Sequence, residues 1–452
     1  MGVDAVFVFL LFSTFMVVMF SGYPVAFVLG GVGVLFAVLG SVLDAFAFDA
    51  DMASIRMLGF VANRTFDTLS SYSLIPMSMF IFMGLMLDRS GIAEKLLTSM
   101  HGLLRQVPGG LAVPGGLAVS VVLIGVVLAA STGIIGASVV LLATIAMPAM
   151  RAAGYDDRLS LGTIGATGCL GILIPPSIML VVMGDQLQIP VGDLFKGAIV
   201  PGLLLAAAYV VYIVTVALIW PERAPKGQAG EAAKVTFGEL ARVLVAPLLL
   251  VVAVLGSIVF GIASPTEASG IGAAGATLLA IASGRLGWKG FVEVCEASGL
   301  TTAFLFALIF GASCFSVVLR GYGGDEVIAD ALHAIPLPPE GTLLLILFIL
   351  FLLGFFLDWM EIILIIAPLV MPVLTAMGHN PAWVAVLMAV CLQTSFLTPP
   401  VGMALFYLKN TVPDAAIGTI YRAAVPFVLL QMAVLAACLI WPQLVLGLAG
   451  MK

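Results

Sequence analysis

Ile174-Pro175-Pro176-Ser177 and Thr398-Pro399-Pro400-Val401 stand 224 residues apart, each inside a long apolar stretch. A proline pair removes two backbone donors and clashes with the preceding turn, so each stretch is expected to be a helix broken in its middle. The same register carries other features: Met147-Pro148 returns as Met371-Pro372, Gly154 as Gly378, and Met179 as Met403. In both copies the proline pair lies 27 residues after the single proline. Several features sharing one offset mark an internal duplication, not chance.

Ahead of each single proline lies a pair of apolar segments. In the second copy these are Leu343–Phe356 and Ile362–Leu374; in the first, Val113–Ala130 and Ile134–Met147, with Ser131-Thr132-Gly133 between them. The second pair falls short of the roughly 20 residues a bilayer crossing requires. Such segments fit a re-entrant helical hairpin that dips into the membrane and returns, its tip buried in protein. The hairpins are expected near 111–150 and 341–377, and the broken helices near 159–190 and 382–412. Full crossings are then expected near 5–20, 24–43, 72–88, 159–190 and 197–220, and again near 243–262, 266–283, 299–319, 382–412 and 425–447. Five per half is an odd number, so the second copy must insert upside down relative to the first. The chain reads as an all-α polytopic membrane protein with two inverted units, 1–220 and 243–452, joined by a linker over 221–242.

Composition agrees. The 452 residues are 62% hydrophobic and 9% charged, against roughly a quarter charged in soluble domains. The start, Met1-Gly2-Val3-Asp4, lacks the basic region of a secretory signal, so the first helix is read as retained. The net charge of −6 is spread over short loops, which excludes a nucleic acid partner. Five cysteines (Cys169, Cys295, Cys314, Cys391, Cys438) show no paired spacing and read as packing residues. The three histidines (His101, His333, His379) fall in loops or connectors, which argues against haem, zinc chemistry or a proton relay. No phosphate-binding Gly-Lys-Ser/Thr run occurs, so energy is expected from an ion gradient.

Loop cations give an orientation, because Lys and Arg accumulate on the cytoplasmic side. With the linker inside, thirteen of the eighteen are cytoplasmic: Arg89, Lys95, Arg105, Arg151, Arg158, Arg223, Lys226, Lys234, Arg242, Arg285, Lys289, Lys409 and Arg422. Arg56, Arg64, Lys196, Arg320 and Lys452 remain outside, and both termini are expected to be periplasmic. Amphipathic connectors, Ile92–Arg105 and Glu326–His333, precede the hairpins. They read either as helices lying in the interface or as arms that carry each hairpin.

Unwound carbonyls and hydroxyls are hard oxygen ligands suited to Na⁺, and half-helix N-termini direct positive charge at an anion. A first ion site is expected from Ala130, Ser131, Thr132, Gly133, Gly171, Ile174 and Ser177, and a second from Gly354, Ser395, Thr398 and Val401. Pro175, Pro176, Pro399 and Pro400 make the helix breaks. Asp358 and Glu361 lie at a depth where charge is costly, which points to a substrate role; they also fit a capping box. Ser264-Pro265-Thr266-Glu267 has capping-box grammar throughout and reads as structural, and Asp185 reads as interfacial.

Several of these stretches together resemble the large membrane subunit of tripartite ATP-independent periplasmic (TRAP) transporters. They are Gly22-Tyr23-Pro24-Val25-Ala26-Phe27, Ile174-Pro175-Pro176-Ser177-Ile178, Gly197 to Pro201-Gly202, Gly261-Ile262-Ala263-Ser264-Pro265-Thr266-Glu267-Ala268, and Leu397-Thr398-Pro399-Pro400-Val401-Gly402. The resemblance implies an elevator-type, Na⁺-driven carrier of the inner membrane. It also implies a separate four-helix membrane subunit and a periplasmic binding protein that delivers a small organic acid. The first hairpin tip departs from the family's Ser-Gly-Ser-Ser run, reading Ser131-Thr132-Gly133-Ile134-Ile135-Gly136-Ala137-Ser138. The alternatives are a stand-alone carboxylate carrier and, from another class, a channel or membrane enzyme. The last two lack a repeated polar pore stripe and a Ser/His pair at depth, so the chain is not read as an enzyme.

Overall fold

A computed structural model describes the backbone of residues 3–45, 55–91, 115–132, 135–225 and 237–450. Every long regular element among them is helical. In chain order these are α1 Val3–Met19, α2 Val25–Ala45, α3 Leu58–Ser70, α4 Ile75–Arg89, α5 Gly116–Thr132, α6 Ile135–Ala152, α7 Asp157–Cys169, α8 Ile178–Leu187 and α9 Val191–Ile219. They continue as α10 Phe237–Val259, α11 Pro265–Ala282, α12 Trp288–Gly321, α13 Gly324–His333, α14 Pro339–Leu353, α15 Trp359–Ala376, α16 Pro381–Leu397, α17 Met403–Thr411 and α18 Ile417–Ile440. Among the described residues six helices are long and apolar enough to cross a bilayer alone, or seven if a bent pair counts as one span. The ten crossings read from the sequence therefore also require the shorter apolar helices and the broken pairs α7/α8 and α16/α17 to traverse.

The duplication is visible in local structure. Asp156 and Asn380, 224 residues apart, are the N-caps of α7 and α16, and both side chains accept from backbone N–H groups of the first turn. Gly154 and Gly378 hold positive φ (78° and 94°) in the turns just before them, a conformation that glycine adopts without a Cβ clash. Pro175-Pro176 and Pro399-Pro400 each contain a cis peptide bond.

Packing between the halves follows an exchange rule. α2 lies on α12 while α11 lies on α4; α7 lies on α18 while α16 lies on α9; α6 lies on α17 while α8 lies on α15. Each contact has its counterpart with the two halves swapped, as a two-fold relation between the units demands. The first of these crossings is close because glycine permits it: a Cβ at Gly311 would meet the Ala26 carbonyl, and one at Gly33 would meet Cys314 at 3.0–3.1 Å. Small residues that let two backbones approach are a common way to fasten helices in lipid. Tyr322 at the end of α12 adds a hydroxyl donated to the Phe36 carbonyl of α2 (2.8 Å).

Four differences from the sequence reading have physical reasons. The third crossing runs over Tyr72–Arg89 as expected, but the amphipathic α3, absent from the sequence reading, precedes it at a bend of 58°. That helix escaped notice because its apolar face alternates with Asn63, Arg64 and Asp67. The crossing expected at 299–319 begins at Trp288, since residues 288–298 carry Lys289, Glu293 and Glu296 yet still propagate the helix past the apolar limit. The arms of the hairpins are longer than the apolar runs suggest, because Pro339-Glu340 and Trp359-Met360-Glu361 form first turns. Asp185 is more than an interfacial residue: it accepts from the Ser71 hydroxyl at 2.9 Å, tying α8 to the turn before α4. Ser264 and Glu267 do close a capping box at the start of α11. The connector at 92–105 and most of the linker lie outside the described residues, whereas the second connector is α13.

Candidate functional site

Helix α14, the tip at 354–358 and α15 form the second hairpin. α14 packs on α16, the first half of the second broken helix. At the tip the two come close enough that a Cβ on Gly354 would collide with the Ser395 hydroxyl. Gly354 and Ser395 were expected to share a site, and the structure brings them together. The Ser395 hydroxyl donates to the Leu392 carbonyl (2.9 Å) and that of Thr398 to the Thr394 carbonyl (2.7 Å). Each proton is thereby occupied while oxygen lone pairs remain, the state in which a hydroxyl can ligate a cation. Past Thr398 the chain leaves the helix, and Gly402 sits with positive φ against two carbonyls: its Cβ would lie 2.9 Å from Thr398 O and 3.1 Å from Phe396 O. Freed carbonyls and a hydroxyl at one break form the oxygen-rich donor set that Na⁺ favours. Val401 lies within the same turn, and Pro400 is held by the Tyr421 hydroxyl, which donates to its carbonyl.

The first break is built differently. Residues 170–177 are all buried, including Gly171, Ile174, Pro175, Pro176 and Ser177. Ser177 caps α8 by accepting from Leu180 N–H (3.4 Å) and donates across the break to the Ile172 carbonyl. Its hydroxyl thus clamps the break as well as facing it. Ile174 is packed against Gly202 of α9. Both arms of the first hairpin, α5 and α6, rest on the turn at 170–172, so hairpin and break are adjacent as expected. The backbone of Ala130, Ser131 and Thr132 continues α5; their side chains, and Gly133 altogether, lie outside the described residues.

The two hairpins approach each other through a residue the sequence reading missed. Tyr407 of α17 stands over Gly136, the first turn of α6, where a Cβ would meet its ring at 2.8–3.2 Å. The same ring lies within electrostatic reach of Asp358 at the other hairpin tip. Asp358 is the N-cap of α15, accepting from Trp359 N–H at 2.8 Å. Glu361, three residues on, is buried, with Oε2 lacking a hydrogen-bond partner. The N-cap half of the capping reading is met by Asp358, while Glu361 keeps an unpartnered buried oxygen. Tyr407 escaped because an aromatic residue in an apolar helix carries no positional signal.

A second omission is a buried polar cluster between the breaks. The Gln431 amide donates to the Tyr209 hydroxyl (2.8 Å), and Gln393 and Cys169 face the same hydroxyl. Gln393 and Cys169 are themselves 224 residues apart, so two equivalent positions meet here. An amide alone in the apolar run of α16 was a legible signal, since such a residue is expensive unless it serves structure or transport.

Among the described residues no group of three or more His, Cys, Asp or Glu side chains could hold a metal. What the breaks offer instead is backbone carbonyl and hydroxyl oxygen.

Comparison with known proteins places this geometry. Residues 12–444 match the family model for the tripartite ATP-independent periplasmic transporter, DctM component. The chain is 30% identical to the C4-dicarboxylate TRAP transporter large permease protein DctM of Pseudomonas aeruginosa, over 91% of this chain and 92% of that one. It is 27% identical to the sialic acid TRAP transporter large permease protein SiaM of Vibrio cholerae, covering 95% of each. It is 30% identical to the ectoine TRAP transporter large permease protein TeaC of Halomonas elongata, over 83% of this chain and 86% of that one. In fold it is similar to the Alcanivorax borkumensis YdaH transporter, with a TM-score of 0.66 at 16% identity over 92% of this chain and 98% of that one. It is also similar to Neisseria gonorrhoeae MtrF, with a TM-score of 0.61 at 14% identity over 91% and 94%.

Proposed function

The chain belongs to the DctM family of tripartite ATP-independent periplasmic transporters, and from that premise we propose that it imports a small organic acid across the bacterial inner membrane by Na⁺ symport. The observation that carries this reading is the second break, where the Gly354 tip touches Ser395 and the carbonyls of Phe396 and Thr398 converge on Gly402. A cation at that place neutralises the cost of exposing helix-end carbonyls at membrane depth. The organic acid lies between the hairpin tips, near Gly136, Tyr407 and Asp358, where α6 and α17 begin. Their N-termini favour its carboxylate.

Relatives named for C4-dicarboxylates, sialic acid and ectoine support a carboxylate cargo without selecting one. A periplasmic binding protein delivers the cargo, and a small four-helix subunit packs beside the permease. The hairpins, broken helices and α9 and α18 move as one body against the remaining helices. In that scheme the contacts of α12 with the first turns of α15, and of α4 with α5 and α8, are the sliding surface. Purified permease, small subunit and binding protein in liposomes are expected to accumulate a labelled organic acid only under an inward Na⁺ gradient. Accumulation that ignores the gradient refutes Na⁺ symport, and accumulation without the binding protein favours a stand-alone carrier.

A further inference from the structure

α3 lies before α4 at a bend of 58°, and none of its residues is buried. Phe66 and Leu69 on one side of it are about two-thirds exposed. The opposite side, with Phe60, Asn63, Arg64 and Asp67 at i, i+3, i+4 and i+7, faces an open groove of about 480 Å³ lined also by Met57 and by Val317, Arg320 and Gly321 at the end of α12. Arg320 is engaged with Asp325 at 3.2 Å. Arg64 is half-buried beside it, within reach of both Arg320 and Asp325, and makes no ion pair among the described residues. Two guanidinium groups thus share one groove with a carboxylate, Asp67, that has no partner among the described residues, and with an apolar wall.

We propose that this groove binds the headgroup of a zwitterionic aminophospholipid, of the phosphatidylethanolamine class, from the leaflet that α3 lies against. Arg64 and Arg320 meet the phosphate, for which the planar guanidinium is suited. Asp67 accepts from the ammonium, and Met57, Phe60 and Val317 cover the glycerol end. The charge pattern selects this occupant. A purely anionic headgroup would leave Asp67 facing phosphate, and a choline headgroup has no N–H to donate. The exposed apolar side of α3 lies among the acyl chains, as interfacial helices do. Arg56, Arg64 and Arg320 are three of the five cations on the face that the loop charges assign as outer, so the cluster runs against the depletion expected there.

Native mass spectrometry of the full-length permease, purified and incubated with phosphatidylethanolamine, phosphatidylcholine or phosphatidylglycerol in turn, tests the proposal. Retained phosphatidylethanolamine is expected to exceed both others. Arg64→Gln should lower its retention about fivefold, the factor one phosphate attraction at a membrane surface supplies. Asp67→Asn should erase the preference over phosphatidylcholine while leaving phosphate-dependent retention. Arg89→Gln, which removes a cation paired with Glu293 elsewhere, should change nothing, and unaltered thermal melting checks that the variants fold. Equal retention by Arg64→Gln and the parent overturns the site. Retention of phosphatidylglycerol at the level of phosphatidylethanolamine overturns the role of Asp67. Loss of binding-protein docking in place of lipid in Arg64→Gln shows that the occupant is an acidic protein surface, which also overturns the proposal.

Discussion

Thr398 and Ser177 occupy related breaks yet have different duties. The Thr398 hydroxyl spends its proton on a carbonyl in its own helix and stays partly exposed, so Thr398→Ala removes the proposed cation ligand and little else. Its Na⁺ titration of uptake is expected to shift to higher concentration by about tenfold, the factor of one charge-assisted hydrogen bond, with unaltered melting. An unchanged Na⁺ response sinks the assignment of this residue. Ser177→Ala instead removes an N-cap and the clamp across a buried break, so thermal stability falls by about 1 to 2 kcal/mol. Gly354→Ala should abolish transport because its Cβ strikes the Ser395 hydroxyl, and adding Ser395→Gly should restore hairpin closure, seen as recovered protection of the tip from proteolysis. Absence of rescue means that the contact does not set the tip. These residues were accessible from sequence through the shared 224-residue offset, and Gln393 through being a lone amide in an apolar run. Tyr407 and Gln431 were not, since their meaning lies in which helices cross.

At the scale of elements, an ion-pair link holds α6 to the two broken helices. Arg151 at the end of α6 pairs with Asp157 at the start of α7 (2.9 Å) and with Asp414 in the loop after α17 (2.6 Å). The Arg151 guanidinium holds the Asp414 carboxyl below the usual carboxylate range, and its own proton is held more tightly than usual. A carboxyl depressed in the folded state stabilises it fully above the unfolded value, near 4, and loses that contribution as pH falls through the folded value. The difference in melting temperature between the parent and Asp414→Asn should therefore be present at pH 6 and shrink toward zero below pH 3. A difference that persists in acid shows that the side chain acts through packing. Hairpins and broken helices were legible because proline and segment length act locally. The extent of α12 and the existence of α3 were not, because mixed polarity at an interface looks like a loop.

The whole molecule is organised by exchange between two units, and its close crossing of α2 on α12 is where that organisation is most brittle. Gly311→Val drives a side chain into the Ala26 carbonyl and should lower stability by about 1 to 3 kcal/mol, an overpacking cost. A melting curve equal to the parent's would show that the crossing can open. Sequence parity alone implied inversion, and the swapped helix pairs now give that implication a spatial counterpart. Symmetry of the chain nevertheless stops short of symmetry of access. The first break is sealed on every side, while at the second Pro400 is exposed and Thr398 partly so. If both hold Na⁺ as proposed, the ions cannot come and go in any order: the sealed one is a late passenger to leave, and the open one equilibrates with its bath. A duplicated gene segment would then have become a queue, with order of loading written in the depth of two doorways.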